Sequence, residues 1–432
     1  MNLTEAYLLL AVMLAVVAVV SVLFKGKSGL IAPLIFVAGL ITALVAGLGF
    51  RLREVTEGPF VFVDTLMWVL CGAAFSYLLY VNGTFQFLFA KVVGKKRSPA
   101  AQMFILILFI GLPGMITGTA LASVATTGLM AGRYLLDKGM EKSKVVEVVT
   151  VGALMGMLLP PLCVPAMAPT IARQGLYPGA FEGYFLPILI LALPALIVYC
   201  ALAGRRVLGE WEADGNVEKT GSAVCLIPLA VVAVLVLCYN FLYFLIPYYG
   251  GYPVIYLIGF VLALIFKGAN PLIAAADGIR TVAVELALIL AYASVVETFN
   301  LVGVNGTLSA QMEIAGINGA VIALVLGLLV LAGGLLLGTP FAYVVGALAT
   351  YLVSNSNYGS YELSMMAVGA AIAMSMFLAL RGSLAETVGE TLGVTGVTGT
   401  EVVKRNIIFT LVLTAAIVVF LVAGSSLKFL MI

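Results

Sequence analysis

The sequence predicts an all-α polytopic membrane protein built from two inverted-topology repeats, and three observations predict it. Of the 432 residues, 63% are hydrophobic and 10% charged, with a mean hydropathy of +1.19; this excludes a soluble globular domain and a disordered chain. Apolar runs of about 17 to 25 residues recur along the chain, each able to cross roughly 30 Å of hydrocarbon as a helix. The short alternating segments of a membrane barrel are missing. Finally, Lys and Arg gather in four clusters, as they do in loops on the cytoplasmic face.

Taken in order, crossings are expected near residues 6–24, 29–50, 59–81, 145–172 and 179–203, then near 222–246, 251–267, 282–299, 363–385 and 406–427. The run from Ala6 to Phe24 is longer than a signal-peptide core and has no basic region before it, so it is read as a mature span. The basic clusters are Lys91, Lys95, Lys96 and Arg97; Arg133, Lys138, Lys142 and Lys144; Arg205, Arg206 and Lys219; and Lys404 with Arg405. With all four inside, the apolar stretch Ala101 to Gly132 begins and ends on one side, although two full spans need about 40 residues. It is expected to be a re-entrant helical hairpin (101–131) with its tip near "GMITGTALAS" (Gly114 to Ser123).

The next span, 145–172, is interrupted by Pro160, Pro161, Pro165 and Pro169. The polar stretch Gly204 to Gly221 divides the chain into residues 1–203 and 222–432. Short segments at Thr84 to Val93 and Gly268 to Arg280 are read as helices along the cytoplasmic surface. Arg51 and Arg53 fall outside in this scheme, beside Glu54 and Glu57.

The halves resemble one another. "GTALASVATTGLM" (Gly118 to Met130) has a counterpart 220 residues later in "GTPFAYVVGALAT" (Gly338 to Thr350), and "VGALMGM" (Val151 to Met157) pairs with "VGAAIAM" (Val368 to Met374) at an offset of 217. The first-half loop Arg133 to Lys144 is basic, whereas "SNSNYGSYE" (Ser354 to Glu362) has no basic residue, as opposite orientations require. The second half is therefore expected to hold its own hairpin (317–353) and interrupted helix (363–392), with both termini external.

Several chemistries are excluded. With no histidine, a zinc-protease helix and a Ser-His intramembrane protease are both ruled out. No GxxxxGK[ST] loop is present, so the chain has no ATP-hydrolysing engine of its own. No enzyme activity, organic cofactor or transition-metal site is expected, and a net charge of +2 argues against a nucleic-acid partner.

A helix broken inside the bilayer leaves up to about four amides and four carbonyls on each side without helical partners. Such backbone survives only against protein or a water-filled cavity. Carbonyls and hydroxyls suit Na⁺, and amides at half-helix N-termini suit a carboxylate. The expected ion-binding residues are therefore Gly118, Thr119, Ser123, Gly338, Thr339 and Pro340. The expected substrate-binding residues are Thr126, Thr127, Pro160, Pro161, Ser375, Arg381 and Ser383. Na⁺ is the expected coupling ion and a small organic acid the expected substrate. Two readings of Arg381 stay open: a clamp for a substrate carboxylate, or an interfacial residue beside Glu386. Asp64, Glu147, Glu285 and Glu297 lie near predicted span ends and are read as solvated at the interface rather than as a proton relay.

The segment "GTALASVATTGLMAGRYLLDKGMEKSKVVEVVTVGALMGMLLPPLCVPAMA" (Gly118 to Ala168) resembles the large membrane subunit of tripartite ATP-independent periplasmic (TRAP) transporters, within the ion transporter superfamily. It shares a hydroxyl-bearing small-residue tip, a basic loop ending at Lys-Gly, and a helix interrupted at Pro-Pro. The resemblance implies a scaffold and a mobile elevator-type transport domain, Na⁺-coupled uptake of organic acids across a bacterial or archaeal cytoplasmic membrane, a small membrane subunit and a periplasmic substrate-binding protein. The sequence departs from that family at "MSMFLALRGSLAET" (Met374 to Thr387), where a second proline break is replaced by Arg381-Gly382-Ser383. A channel, whose filter also uses non-helical backbone, an H⁺-coupled or antiport member of the ion transporter superfamily, and a noncatalytic component of a larger membrane complex are the alternatives.

Overall fold

The computed structural model describes residues 3–24, 28–61, 63–95, 97–160, 184–208, 223–241, 251–267, 270–354 and 362–431. Among these residues every regular element is helical. The first half runs through α1 (Leu3–Leu23), α2 (Ser28–Val45), α3 (Leu52–Val61), α4 (Val63–Val81), α5 (Thr84–Val93) and α6 (Pro99–Thr117). It continues with α7 (Ala120–Ser123), which passes through a π turn (Val124–Gly128) into α8 (Leu129–Asp137), then α9 (Lys142–Leu158) and α10 (Phe185–Leu208). The second half holds α11 (Ile227–Phe241), α12 (Gly251–Lys267), α13 (Pro271–Leu301), α14 (Val304–Ile314) and α15 (Gly319–Leu337). After it come α16 (Thr339–Ser354), α17 (Glu362–Leu378), α18 (Leu384–Leu392), α19 (Gly399–Arg405) and α20 (Ile407–Ala423).

Local chemistry sets the key borders. Ser98 caps α6 with Pro99 in the first turn, and Asn318 caps α15 by accepting from the Ala320 amide at 2.8 Å. Asn270 caps α13 with Pro271 at its start, accepting from the Leu272 amide at 3.0 Å. The borders of α6 and α15 lie 220 residues apart at both ends, and so do those of α9 and α17. The C-terminal ends of α4 and α13 keep the same interval, as do the left-handed glycines Gly83 and Gly303 that precede α5 and α14. Packing follows suit: α2 lies on α13 as α12 lies on α4, and α6 packs on α9 and α10 as α15 packs on α17 and α20.

This is an all-α polytopic membrane protein. Among the described residues six helices are each long and apolar enough to cross a bilayer: Leu3–Leu23, Pro99–Thr117, Phe185–Leu208, Pro271–Leu301, Gly319–Leu337 and Ile407–Leu430. The bent pair α3 and α4 makes a seventh. Large side chains such as Leu23, Leu336 and Leu411 stay exposed on these helices, as lipid-facing positions require.

The basic clusters meet at one end. Arg405 pairs with Glu141 at 3.4 Å, and Arg206 pairs with buried Glu147 while donating to the Arg405 carbonyl at 2.6 Å. Gly204 of α10 abuts Pro99 and Ala100 at the start of α6, beside Arg97. Phe89 of α5 packs edge-on against Tyr134, at the same end.

Three expectations are corrected here. The first hairpin covers residues 99–137 rather than 101–131, because Arg133 lies inside α8 instead of ending it. The segment up to Arg280 is no separate surface helix: Asn270 and Pro271 start a single helix that runs unbroken to Leu301. Consequently Glu285 sits at the middle of α13, far from either end. By contrast, α5 keeps the expected borders, and the Arg51–Glu54 and Arg53–Glu57 pairs form at 2.9 and 2.8 Å. The linker 209–222 lies outside the described residues.

Candidate functional site

The first hairpin turns at Gly118, whose left-handed φ of 72° suits glycine and whose amide closes α6 on the Gly114 carbonyl at 2.7 Å. Pro113 interrupts the ladder of α6, and the returning arm bonds to α6 beside it. Ser123 Oγ accepts from the Gly114 amide at 2.8 Å, and the Thr127 hydroxyl donates to the Ile110 carbonyl at 2.8 Å. The Thr117 and Thr119 hydroxyls share a hydrogen bond at 2.8 Å. Thr126 donates to the Ala122 carbonyl at 2.6 Å, next to the π turn.

The amides that start the returning arm point at a carboxylate from the other half of the chain. Glu285 Oε1 accepts from Ala120 N at 3.0 Å, and Oε2 accepts from Leu121 N at 3.1 Å. Glu285 is buried, and no Lys or Arg stands within ion-pair distance of it among the described residues.

The second hairpin turns at Gly338, with φ 97° and ψ 173°, a conformation essentially reserved for glycine. Its tip touches the break between α17 and α18. There α17 stops at Leu378, and the Leu380 amide leaves the helix to donate to the Leu335 carbonyl of α15 at 3.1 Å. Gly382 takes a φ of 65°, and α18 then starts with a reciprocal cap: the Glu386 amide donates to Ser383 Oγ at 3.3 Å, and the Gly382 amide donates to Glu386 Oε2 at 2.5 Å. The first interrupted helix, α9, stops at Leu158, just before Pro160, with Leu159 extended. Its continuation, with Pro161, Pro165 and Pro169, lies outside the described residues.

Between these parts lies a cavity of about 540 Å³. The second tip contributes Gly338, Thr339 and Pro340, and the break contributes Arg381 and Gly382. Glu386, Thr387 and Glu390 of α18, Glu285 of α13 and Ser21 of α1 complete the polar lining. Leu121, Val284, Leu288, Leu337 and Met376 make the apolar wall. Ser21 Oγ is buried without a hydrogen-bond partner, and Arg381 is exposed and makes no ion pair among the described residues.

Of the residues singled out by sequence, Gly338, Thr339, Pro340 and Arg381 line this cavity. Gly118, Thr119 and Ser123 build the first tip behind Glu285, and Thr126 and Thr127 bond to helix backbone. Pro160 is buried beside α9. Ser375 donates to the Ile372 carbonyl at 2.6 Å and packs against Gly334, and Ser383 caps α18. Sequence reasoning missed the lining roles of Glu285, Glu390 and Ser21. For Glu285 a signal was present, since the Asn-Pro pair at 270–271 is a helix start that places it in mid-helix.

No family model and no curated protein matches the chain. Solved structures do. The YdaH transporter of Alcanivorax borkumensis shares 14% identity over 86% of this chain and 87% of its own, with a TM-score of 0.58. MtrF of Neisseria gonorrhoeae, described with a class of antimetabolite efflux pumps, shares 12% identity over 89% of this chain and 84% of its own, with a TM-score of 0.54. At such identities the likeness establishes the fold. Both are membrane transporters of a related fold class, not specifically the TRAP membrane subunits that the sequence resembles.

Proposed function

We propose that the protein is a secondary active transporter of a small organic anion, coupled to a cation gradient and working by an elevator movement of the hairpins and interrupted helices. The observation that carries this reading is the cavity lined both by Arg381, which makes no ion pair among the described residues, and by the helix tip at Thr339. A guanidinium and a helix N-terminus are complementary to a carboxylate, and irregular backbone here lines a cavity rather than lipid. Na⁺ symport follows the hydroxyl-rich first tip and the TRAP resemblance, which also brings in a small membrane subunit and a periplasmic binding protein. A second reading, proton coupling or antiport, is favoured by Glu285, a buried carboxylate on the wall of the same cavity without a cationic partner among the described residues. The efflux role described for MtrF fits antiport as well.

The test is uptake of a panel of labelled mono- and dicarboxylates into proteoliposomes under imposed Na⁺, H⁺ and null gradients. Saturable accumulation that follows one cation gradient supports the proposal. Non-saturating current marks a channel, and the absence of any flux marks a noncatalytic component; either result overturns it.

A further inference from the structure

Glu285 poses a charge problem that the proposed transport cycle must solve. An ionised carboxylate withdrawn from water is costly unless compensated. Here compensation comes from the Ala120 and Leu121 amides and the positive end of the helical arm that runs from Ala120 to Asp137. Among the described residues no cation pairs with it. Hairpin 1 brings Thr119 with Thr117 behind it, and α16 brings Tyr343, which is within electrostatic reach. On helices packed against α13, Arg51 and Arg53 are paired with Glu54 and Glu57, α4 carries Asp64, Tyr77 and Tyr80, and α14 carries Glu313. On α13 itself Asp277 pairs with Arg280 towards its start, and Glu297 lies towards its end beside Gly58. Across the cavity stand Glu386, Glu390 and Arg381. The lining thus offers one cationic group against three carboxylates, so an anion entering it meets net repulsion unless a positive charge enters too.

We propose that Glu285 is a proton-binding site that couples anion entry to release of the first hairpin. This rests on the carrier reading above. A proton from cavity water binds one carboxylate oxygen, and no other covalent bond changes. The neutral acid accepts less strongly from the two amides than the carboxylate does, so the tie between α13 and hairpin 1 weakens as the repulsion towards the anion falls. Proton and anion therefore bind together, and the hairpin moves when both are present.

The test needs no substrate. The purified full chain is examined by hydrogen exchange of the peptide covering Thr119 to Ser123, corrected for intrinsic rates, between about pH 8 and about pH 5, the range open to buried carboxyls. Infrared difference spectra follow the carboxylic acid C=O band over the same range. Protection should fall about tenfold on acidification, the factor that corresponds to one pKa unit of coupling. Glu285→Gln should show low protection at every pH and lack one acid band, whereas Glu285→Asp should keep a titration. Protection that does not vary with pH in the unmodified chain, or an unchanged band pattern in Glu285→Gln, overturns the proposal. Should Glu285→Gln not yield monodisperse protein, the exchange profile of the unmodified chain decides alone. Absence of flux in proteoliposomes alongside a positive exchange result would instead count against the carrier reading.

Discussion

Gly111 of α6 and Gly156 of α9 meet backbone to backbone. A methyl group on Gly156 would lie 2.7 Å from the Gly111 Cα, and one on Gly111 would lie 3.0 Å from the Gly156 Cα. Neither helix can yield without opening the seam between the first hairpin and its half-helix. Gly156→Ala is therefore expected to cost on the order of 3 kcal/mol, as overpacking of a tight interior does. A lowered thermal midpoint in detergent would show this; an unchanged midpoint would mean that the seam adapts.

At Gly338 the constraint is conformational. Its φ of 97° and ψ of 173° admit almost no residue with a side chain, although a methyl group there would make only an ordinary contact, 3.7 Å from Pro340 Cδ. Gly338→Ala should cost about 1 to 3 kcal/mol and displace Thr339 and Pro340 from the cavity wall. Flux in proteoliposomes should fall further than the yield of folded protein; equal falls would confine the effect to stability.

Arg381 is exposed and unpaired among the described residues, so its removal should leave the fold intact. Arg381→Gln should lose about 1.5 to 3 kcal/mol of anion binding, a tenfold to hundredfold rise in half-saturating substrate, with an unchanged melting midpoint. Arg381→Lys keeps the charge but loses the planar fork, and should recover only part of the loss. Wild-type transport by either variant would take Arg381 out of the site.

The Arg206–Glu147 pair behaves differently. Glu147 is buried, and Tyr199 and Asn406 stand beside the pair. Arg206→Met would strand a buried carboxylate. The full penalty for breaking a buried pair, about 3 to 5 kcal/mol, is reduced because Arg206 is 41% exposed to solvent. The double change Arg206→Met with Glu147→Leu should be more stable than Arg206→Met alone, and a thermal-melt cycle reads the difference. Additive effects would mean that the two side chains act independently.

How much of this was legible in the sequence depended on how local the cause was. The turn glycines Gly118 and Gly338 and the stop before Pro160 could be read because each is a property of a few adjacent residues; the 220-residue spacing could be read at the two tips, whereas for the interrupted helices the motif pairing at 217 is three residues out of the observed register. The break at Arg381 to Ser383 contains no proline; it depends on the Leu335 carbonyl of another helix and on the reciprocal cap with Glu386, so it could be placed but not explained. The depth of Glu285 was misjudged because the apolar window begins after Arg280, whereas the helix begins at Pro271. Its partners, Ala120 and Leu121, lie 165 and 164 residues away. No periodicity announces such a contact.

The 220-residue recurrence that aligns α4 with α13 sets Thr65 at the position of Glu285. Geometry was copied between the halves while electrostatics was not. A change in voltage or acidity therefore has a handle at the Glu285 position of this matched pair of helices, and the hydroxyl of Thr65 at its counterpart offers none.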